Sequence, residues 1–265
     1  QSRSSAASDV YKRQVYMDIL LVMLLGLIFG SSLNSIGFRL PLILNYERKS
    51  PHLPSLNLFW PRSFCSSCGK QISWINLIPV YGFLRQRGSC NFCKKKITLE
   101  YPFTEIICSL LFIALYFKFG LLSINFYLHL ILFLNLMLIS KIDLNFFKIP
   151  FFLNLLILFN VCLINSDTIF QTLLFILIPF LALLFVSIVF KILRSREGLG
   201  MGDVLLISFL SGLFELEKIP LLILFSSVSG IFFYVVMTYI KNKRNFEIAF
   251  GPHIALSGIW LLFIL

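Results

Sequence analysis

Residues 169–193 read IFQTLLFILIPFLALLFVSIVFKIL, an apolar run of 25 residues whose only charged member is Lys191. A run of this kind is long enough to cross the hydrocarbon core of a bilayer as a helix, which takes about 20 residues. Further apolar segments occur at residues 17–38, 103–118, 124–140, 150–165, 204–216, 219–240 and 252–265. The sequence therefore predicts an all-α, polytopic membrane protein with about eight transmembrane helices.

The composition of the chain supports this class. Hydrophobic residues make up 58% of the 265 residues, charged residues only 13%, and phenylalanine occurs 30 times. Soluble globular domains have about 25% charged residues, so these proportions exclude an ordinary soluble protein. Because most of the chain is needed to span lipid, any aqueous domain must be small, and residues 38–102 are the candidate.

The chain divides into four predicted regions. Residues 1–16 are polar and precede Met17, where an apolar run begins, so we expect them to be a non-native or disordered leader. We expect residues 17–37 to form the first transmembrane helix, residues 38–102 a cytoplasmic loop, and residues 103–265 the remaining transmembrane core.

The positive charges predict the orientation. From Met17 onward, 18 of the 20 lysine and arginine residues share one side if the helices alternate, and only Lys118 and Lys218 fall opposite. The positive-inside rule then places the large loop at the cytoplasmic face, together with Asp143 and Asp203. The net charge of +11 is thus a topology signal, with some contact to anionic lipid, and it does not indicate nucleic-acid binding.

The loop contains two C-x2-C pairs, Cys65/Cys68 and Cys90/Cys93, separated by 21 residues. This spacing is close to that of two knuckles that supply four thiolates to one tetrahedral zinc ion. Disulfide bonds are the alternative, but a reducing cytoplasm favours metal. Since four protein ligands leave no open position, the predicted zinc is structural.

Two carboxylates stand where an apolar run meets a polar turn, Asp143 in Lys141-Ile142-Asp143-Leu144 and Asp203 in Gly200-Met201-Gly202-Asp203. Charged residues are costly in lipid and usually carry function there, so the pair suggests an acid and a base. The alternative is an ordinary helix-end role for each, with Asp143 before a helix start and Asp203 as an N-cap. Gly200 and Gly202 would allow an extended peptide to approach the backbone closely.

The order of these parts resembles the type IV prepilin peptidases, which are membrane aspartic proteases of the GxGD type. The resemblance runs from Gly30 to Ser257 and includes the first-helix residues, the double-knuckle loop with its following Y-P-x-x-E, the two aspartate motifs and a closing F-G-P. The matching residues are Gly30-Ser31, Asn34, Arg39, Pro41, Cys65, Cys68, Cys90, Cys93, Tyr101-Pro102, Glu105, Ile142-Asp143, Pro150, Gly200, Gly202-Asp203 and Phe250-Gly251-Pro252.

This resemblance implies that Asp143 and Asp203 are catalytic. It implies an enzyme of the bacterial inner membrane that cleaves the basic leader of prepilin or pseudopilin precursors and then methylates the new N-terminus with S-adenosylmethionine. Glu105 is a candidate residue for binding that cofactor, with a helix-start role as the alternative. The chain departs from the family pattern at Phe151, where the family often has aspartate, and at Leu205, where it often has lysine.

Two other functions are compatible with these features. One is a metal or small-solute transporter with a zinc-binding loop, in which the aspartates would line a pathway. However, transport sites usually lie near the membrane midplane between repeats, and no repeat is found. The other is an assembly scaffold whose catalytic site has decayed, which the departures at Phe151 and Leu205 would explain.

Overall fold

The computed structural model describes residues 2–46, 57–195, 198–241 and 247–264, with side chains from residue 12 and excluding that of residue 241. These parts of the chain form nine α-helices and short 3-10 turns, without a β-strand. The helices are α1 Ser2–Ile43, α2 Tyr81–Arg85, α3 Glu100–Phe119, α4 Ile124–Phe146, α5 Phe151–Ile164, α6 Ile169–Arg194, α7 Met201–Ser211, α8 Ile219–Lys241 and α9 Gly251–Ile264.

The predicted class, a multi-pass all-α membrane protein, is confirmed, but the predicted number of spans is not. Each of the eight apolar segments coincides with a helix. Within the described ranges, five helical segments are long and apolar enough to cross a bilayer: Lys12–Ile43, Glu100–Phe119, Ile124–Phe146, Ser166–Arg194 and Leu216–Ile240. The helices α5, α7 and α9 are apolar but have only 11 to 14 residues, and a span needs about 20.

The first helix differs from its predicted bounds at both ends. It begins at Ser2, so residues 2–16 continue the helix in this structure, and it ends at Ile43, past the predicted limit at residue 37. Pro41 lies inside its last turn. The foreign origin of residues 1–16 stays a prediction from composition, because a helical backbone does not test it.

The first of two compact units comprises Gln1–Phe126, and α1 packs on α3 within it. Small residues let the two backbones approach: a Cβ atom at Gly30 would lie 2.7 Å from Glu105 Cα. Asn34 joins the helices by donating to the Tyr101 carbonyl at 3.1 Å and accepting from the Thr104 hydroxyl at 2.6 Å. A polar residue of an apolar helix thus finds its partners on the neighbouring helix.

The loop between α1 and α3 is fixed to the end of α1 by Arg39. This side chain is buried, and its guanidinium group donates to the carbonyl oxygens of Asn57, Leu58 and Pro61 at 3.3, 3.1 and 2.6 Å. A buried guanidinium needs such acceptors because its charge cannot be removed. Arg39 therefore anchors residues 57–61 of the loop to α1.

The second unit comprises Tyr127–Leu265, and α7 lies at its centre. Seven residues of this 11-residue helix are buried, and it contacts α5, α6, α8 and α9. Two asparagines of the α5 region hold its two ends: Asn154 donates to the Gly202 carbonyl at 3.1 Å and Asn165 to the Gly212 carbonyl at 2.8 Å. The start of α7, which carries Asp203, is thereby fixed against α5.

Candidate active site

Asp143 lies in the last turn of α4, at 5% exposure. The backbone amide of Gly251, the first residue of α9, donates to its Oδ2 at 2.8 Å. A carboxylate at the start of a helix is stabilised by the free amides and the dipole there. A Cβ atom at Gly251 would lie 2.9 Å from the same oxygen, so this close approach requires glycine.

Asp203 lies in the first turn of α7, three residues after its N-cap. The N-cap is Gly200, so the alternative interpretation of Asp203 as an N-cap is wrong. The Asp203 carboxyl group lies beside the Gly200 backbone, since a Cβ atom at Gly200 would be 3.2 Å from its Oδ2. The Asp203 amide donates to the Gly200 carbonyl at 3.1 Å, so the first turn of α7 holds the acidic residue next to the N-cap.

The segment after α4 brings the two motifs together. Phe147 has a positive φ of 53° and ends α4, and its amide donates to the Asp143 carbonyl at 2.9 Å. The chain then returns so that the Cβ of Ile149 lies 3.0 Å from where a Cβ atom at Gly202 would be. A side chain at position 202 would press on Ile149, and the two aspartates lie close enough for their charges to interact.

This arrangement can act as an acid–base pair. Two carboxyl groups near each other disfavour double ionisation, so one tends to be protonated while the other is ionised, and the two titrate as a unit. Such a pair can activate water and protonate a carbonyl oxygen in the same step. The catalytic roles of Asp143 and Asp203 stay predictions, since the geometry alone does not measure activity.

Sequence reasoning does not single out two residues that support the pair. Gly251 is identified from the sequence only as part of the F-G-P motif, and Asn154 is not identified from it. Asn154 is completely buried, and its amide holds the Gly202 carbonyl. The apolar run at 150–165 contains three asparagines, Asn154, Asn160 and Asn165, and they are a usable signal because polar residues in apolar spans usually have a specific partner.

The two departures from the family pattern differ in exposure. Phe151 is the first residue of α5 and is 61% exposed, whereas Leu205 is partly buried on α7. Both side chains are apolar, so neither can hydrogen-bond to an aspartate.

The four predicted cysteine ligands come together in the loop. Their sulfur atoms all lie within 4.8 Å of one another, and the thiols are free. Cys65 and Cys93 Sγ are 3.8 Å apart, which agrees with a tetrahedral zinc–thiolate site, where metal–sulfur bonds of about 2.3 Å give roughly 3.8 Å between sulfurs. The cluster therefore has the donor set and the spacing to bind a metal ion.

Both knuckles have the same backbone design. In each, the amide of the first cysteine donates to the carbonyl five residues on, Cys65 to Lys70 and Cys90 to Lys95, both at 2.9 Å. The turn residue four positions after the first cysteine has a positive φ, 69° at Gly69 and 59° at Lys94. Backbone hydrogen bonds from Cys93 and Phe92 lower the pKa of Cys90 to about 7, whereas the pKa of Cys68 is raised to about 11, so the cluster does not favour the thiolate form at every position.

Glu105 has a structural contact in the first unit. It is buried, and its Oε2 accepts a 2.7 Å hydrogen bond from the backbone amide of Val80, which precedes α2. Val80 has a positive φ of 59°, an unfavourable conformation for a β-branched residue that this bond helps to hold. The contact links α3 to the loop. The cofactor-binding role of Glu105 stays a prediction.

Comparison with known proteins gives two family matches. The model described as "Bacterial Peptidase A24 N-terminal domain" matches residues 24–119, which include the four cysteines. The model described as "Type IV leader peptidase family" matches residues 130–235, which include both aspartates.

Several curated relatives named prepilin leader peptidase/N-methyltransferase match nearly the whole chain. The protein from Stutzerimonas stutzeri is 34% identical, covering 91% of this chain and 88% of the relative. That from Pseudomonas putida is 31% identical, covering 92% and 89%, and that from Neisseria gonorrhoeae is 30% identical, covering 92% and 89%. No solved structure matches the chain. The resemblance found in the sequence is thus confirmed, and the chain belongs to the type IV leader peptidase family.

Proposed function

We propose that this protein cleaves the leader of prepilin-like precursors and then methylates the new N-terminus. The observation that carries the proposal is the Asp143–Asp203 pair in a member of a leader peptidase family. The backbone amide of Gly251 holds Asp143, and Asp203 lies beside the Gly200 backbone. The relatives' name, which includes both activities, supports the second step. The transporter and the decayed scaffold are not favoured by these comparisons.

Hydrolysis by the pair follows from their chemistry. The ionised aspartate takes a proton from water as the water oxygen attacks the scissile carbonyl carbon, and the protonated aspartate donates its proton to the carbonyl oxygen. The carbon–nitrogen bond of the resulting diol then breaks. The leaving nitrogen receives the proton that the first aspartate took from water, and a hydroxyl group of the diol returns a proton to the second aspartate. Both carboxyl groups return to their starting states, so no cofactor is consumed in this step.

We also propose zinc as the metal of the cysteine cluster. Cys65, Cys68, Cys90 and Cys93 would hold it, and four thiolates close its coordination, so the ion would brace the loop and take no substrate. Arg62, Lys70 and the nearby Lys94–Lys96 would offset the negative charge of four thiolates on one divalent ion.

The proposed topology places the loop and the aspartate pair at the cytoplasmic face of the inner membrane. The distribution of lysine and arginine supports it, because these residues concentrate in cytoplasmic loops. Membrane lipid and the prepilin precursor are the proposed partners, and nucleic acid is not among them.

The deciding experiment mixes membranes containing the wild-type protein with a purified pilin-like precursor and S-adenosylmethionine. Mass spectrometry should show loss of the leader and then addition of one methyl group to the new N-terminus. An unprocessed precursor would contradict the peptidase proposal and favour a scaffold. A cleaved but unmethylated product would contradict only the second step.

A further inference from the structure

The loop contains a cavity of about 290 Å³, in the unit that does not carry the aspartate pair. Its wall includes one cysteine from each knuckle, two cations and two aromatic rings. No aspartate or glutamate of the described residues lines it. The six residues relevant to binding are Arg62, Cys65, Lys70, Trp74, Cys90 and Phe92.

Arg62 offers an unused hydrogen-bonding edge. Its guanidinium carbon lies 3.7 Å from the centre of the Trp74 ring, so the flat face of the group is stacked. Its Nε is buried and has no hydrogen-bond partner within the described part of the chain. A stacked guanidinium keeps its donors in the plane, where they match the two oxygens of a carboxylate.

The rest of the lining adds two further features. The Lys70 Nζ lies 4.8 Å from the centre of the Phe92 ring, which places a second cation at the cavity. The rings of Trp74 and Phe92 are 71% and 59% exposed, so each has surface left for a flat ligand. Cys65 and Cys90 place one sulfur atom from each knuckle in the wall.

We propose that this cavity binds S-adenosylmethionine, with the ligand's carboxylate on the edge of Arg62. The inference rests on the proposed methyltransferase activity and gives that activity a site. The adenine ring would lie on the exposed aromatic surface of Trp74 and Phe92. The carboxylate and the planar ring thus each meet a matching group.

The transfer itself balances without another reactant. The neutral amine of the processed substrate attacks the methyl carbon, the carbon–sulfur bond breaks with its electron pair going to sulfur, and the methylated nitrogen releases one proton to water. S-adenosylhomocysteine remains, which keeps the carboxylate and the adenine.

A pair of ligands tests the role of Arg62. S-adenosylmethionine and its decarboxylated form differ only in the carboxylate, and their binding to the full-length protein in detergent is measured by calorimetry. The wild type should prefer the carboxylate form by at least about tenfold, since a bidentate charged contact is involved. Arg62→Leu should abolish this preference, Arg62→Lys should reduce it, and Trp74→Ala should weaken both ligands.

Arg85→Gln is the matched control, because Arg85 is an exposed cation of α2 outside the cavity, and it should bind both ligands as the wild type does. Limited proteolysis checks that every variant is folded. Equal binding of both ligands by the wild type, or an unchanged preference in folded Arg62→Leu, would overturn the proposal.

Inorganic phosphate serves as a further probe. If phosphate bound the wild type as tightly as S-adenosylmethionine and displaced it, the cavity would be a simple anion site and the proposal would be wrong. Methylation by the wild type together with unaltered binding in Arg62→Leu would overturn the cavity assignment alone, whereas absence of methylation would overturn the proposed methyltransferase step.

Discussion

At the residue scale, the surroundings of the two aspartates suit them to acid–base chemistry. Asp143 is buried in an apolar unit, yet its carboxylate accepts a hydrogen bond from the Gly251 amide, and Asp203 lies beside the Gly200 backbone. Backbone amides support a carboxylate without adding a cation that would hold it permanently ionised. The pair can therefore exchange protons during a reaction, which a salt bridge to lysine or arginine would hinder.

Replacing either aspartate should stop cleavage. Asp143→Asn and Asp203→Asn keep the size and polarity of the side chain but remove its acid and its charge, so leader cleavage should fall to background while membrane insertion is retained. Asp167→Asn is the control, because Asp167 is exposed in the turn before α6. Substantial cleavage by either variant in a membrane assay would remove that residue from the catalytic pair.

The contact between Asp143 and Gly251 gives a second prediction. Gly251→Ala would put a Cβ atom 2.9 Å from Asp143 Oδ2, so the carboxyl group or α9 must shift. We expect cleavage to slow by about ten- to a hundredfold, since small displacements of a catalytic group have effects of this size.

Gly258→Ala is the control on the same helix, because its Cβ atom would meet Leu210 Cδ1 at an ordinary 3.4 Å. Cleavage rates of the two purified variants are compared under saturating substrate. Equal rates would show that the spacing between α9 and Asp143 does not matter for catalysis.

At the element scale, α7 is a short, buried helix held at both ends by asparagine amides. Asn154 binds the Gly202 carbonyl near Asp203, and Asn165 binds the Gly212 carbonyl at the other end. The two bonds have the same chemistry, but only the first lies in the catalytic motif. Making the same substitution separately at Asn154 and at Asn165 can therefore distinguish the functions of the two bonds.

Asn154→Leu should slow cleavage strongly, whereas Asn165→Leu should slow it little. Both substitutions leave a carbonyl without its donor, so we expect similar losses of stability, about 0.6–1.7 kcal/mol for hydrogen bonds between membrane helices. Thermal unfolding in detergent measures the stability, and the peptidase assay measures the rate. Equal rates at equal stability would show that Asn154 has only a structural role.

The sequence predicted the elements better than their ends. Apolar runs locate helices because lipid requires the backbone to bond to itself, and each predicted segment is a helix. The lengths of α5, α7 and α9 and the extension of α1 depend on packing, which a hydropathy pattern does not contain. Asp143 and Asp203 were evident as isolated charges, but the Gly251 amide lies 108 positions from Asp143, and no local pattern predicts such a contact.

At the scale of the whole molecule, the metal cluster should decide the fold of the loop. The loop has few buried apolar residues, and a structural zinc ion contributes about 10–16 kcal/mol of apparent binding energy in small peptides. Purified protein should contain one zinc ion per chain, and Cys65→Ser or Cys90→Ser should lose it and become sensitive to protease in the loop. Cys162→Ser, outside the cluster, is the control for elemental analysis. A zinc-free wild-type protein, or a disulfide in this loop, would contradict the prediction.

The two proposed activities reside in different units, which leads to a last prediction. The four cysteines belong to Gln1–Phe126 and the two aspartates to Tyr127–Leu265. If the loop serves methylation and the pair serves hydrolysis, the cysteine variants should lose methylation more than cleavage. The aspartate variants should lose cleavage but still methylate a substrate supplied without its leader, because methyl transfer needs no carboxyl pair. Mass spectrometry of the intact and pre-cleaved substrates reports both reactions.

Equal loss of both activities in the cysteine variants would mean that the loop supports the whole fold. Full methylation by these variants would exclude the loop from methyl transfer.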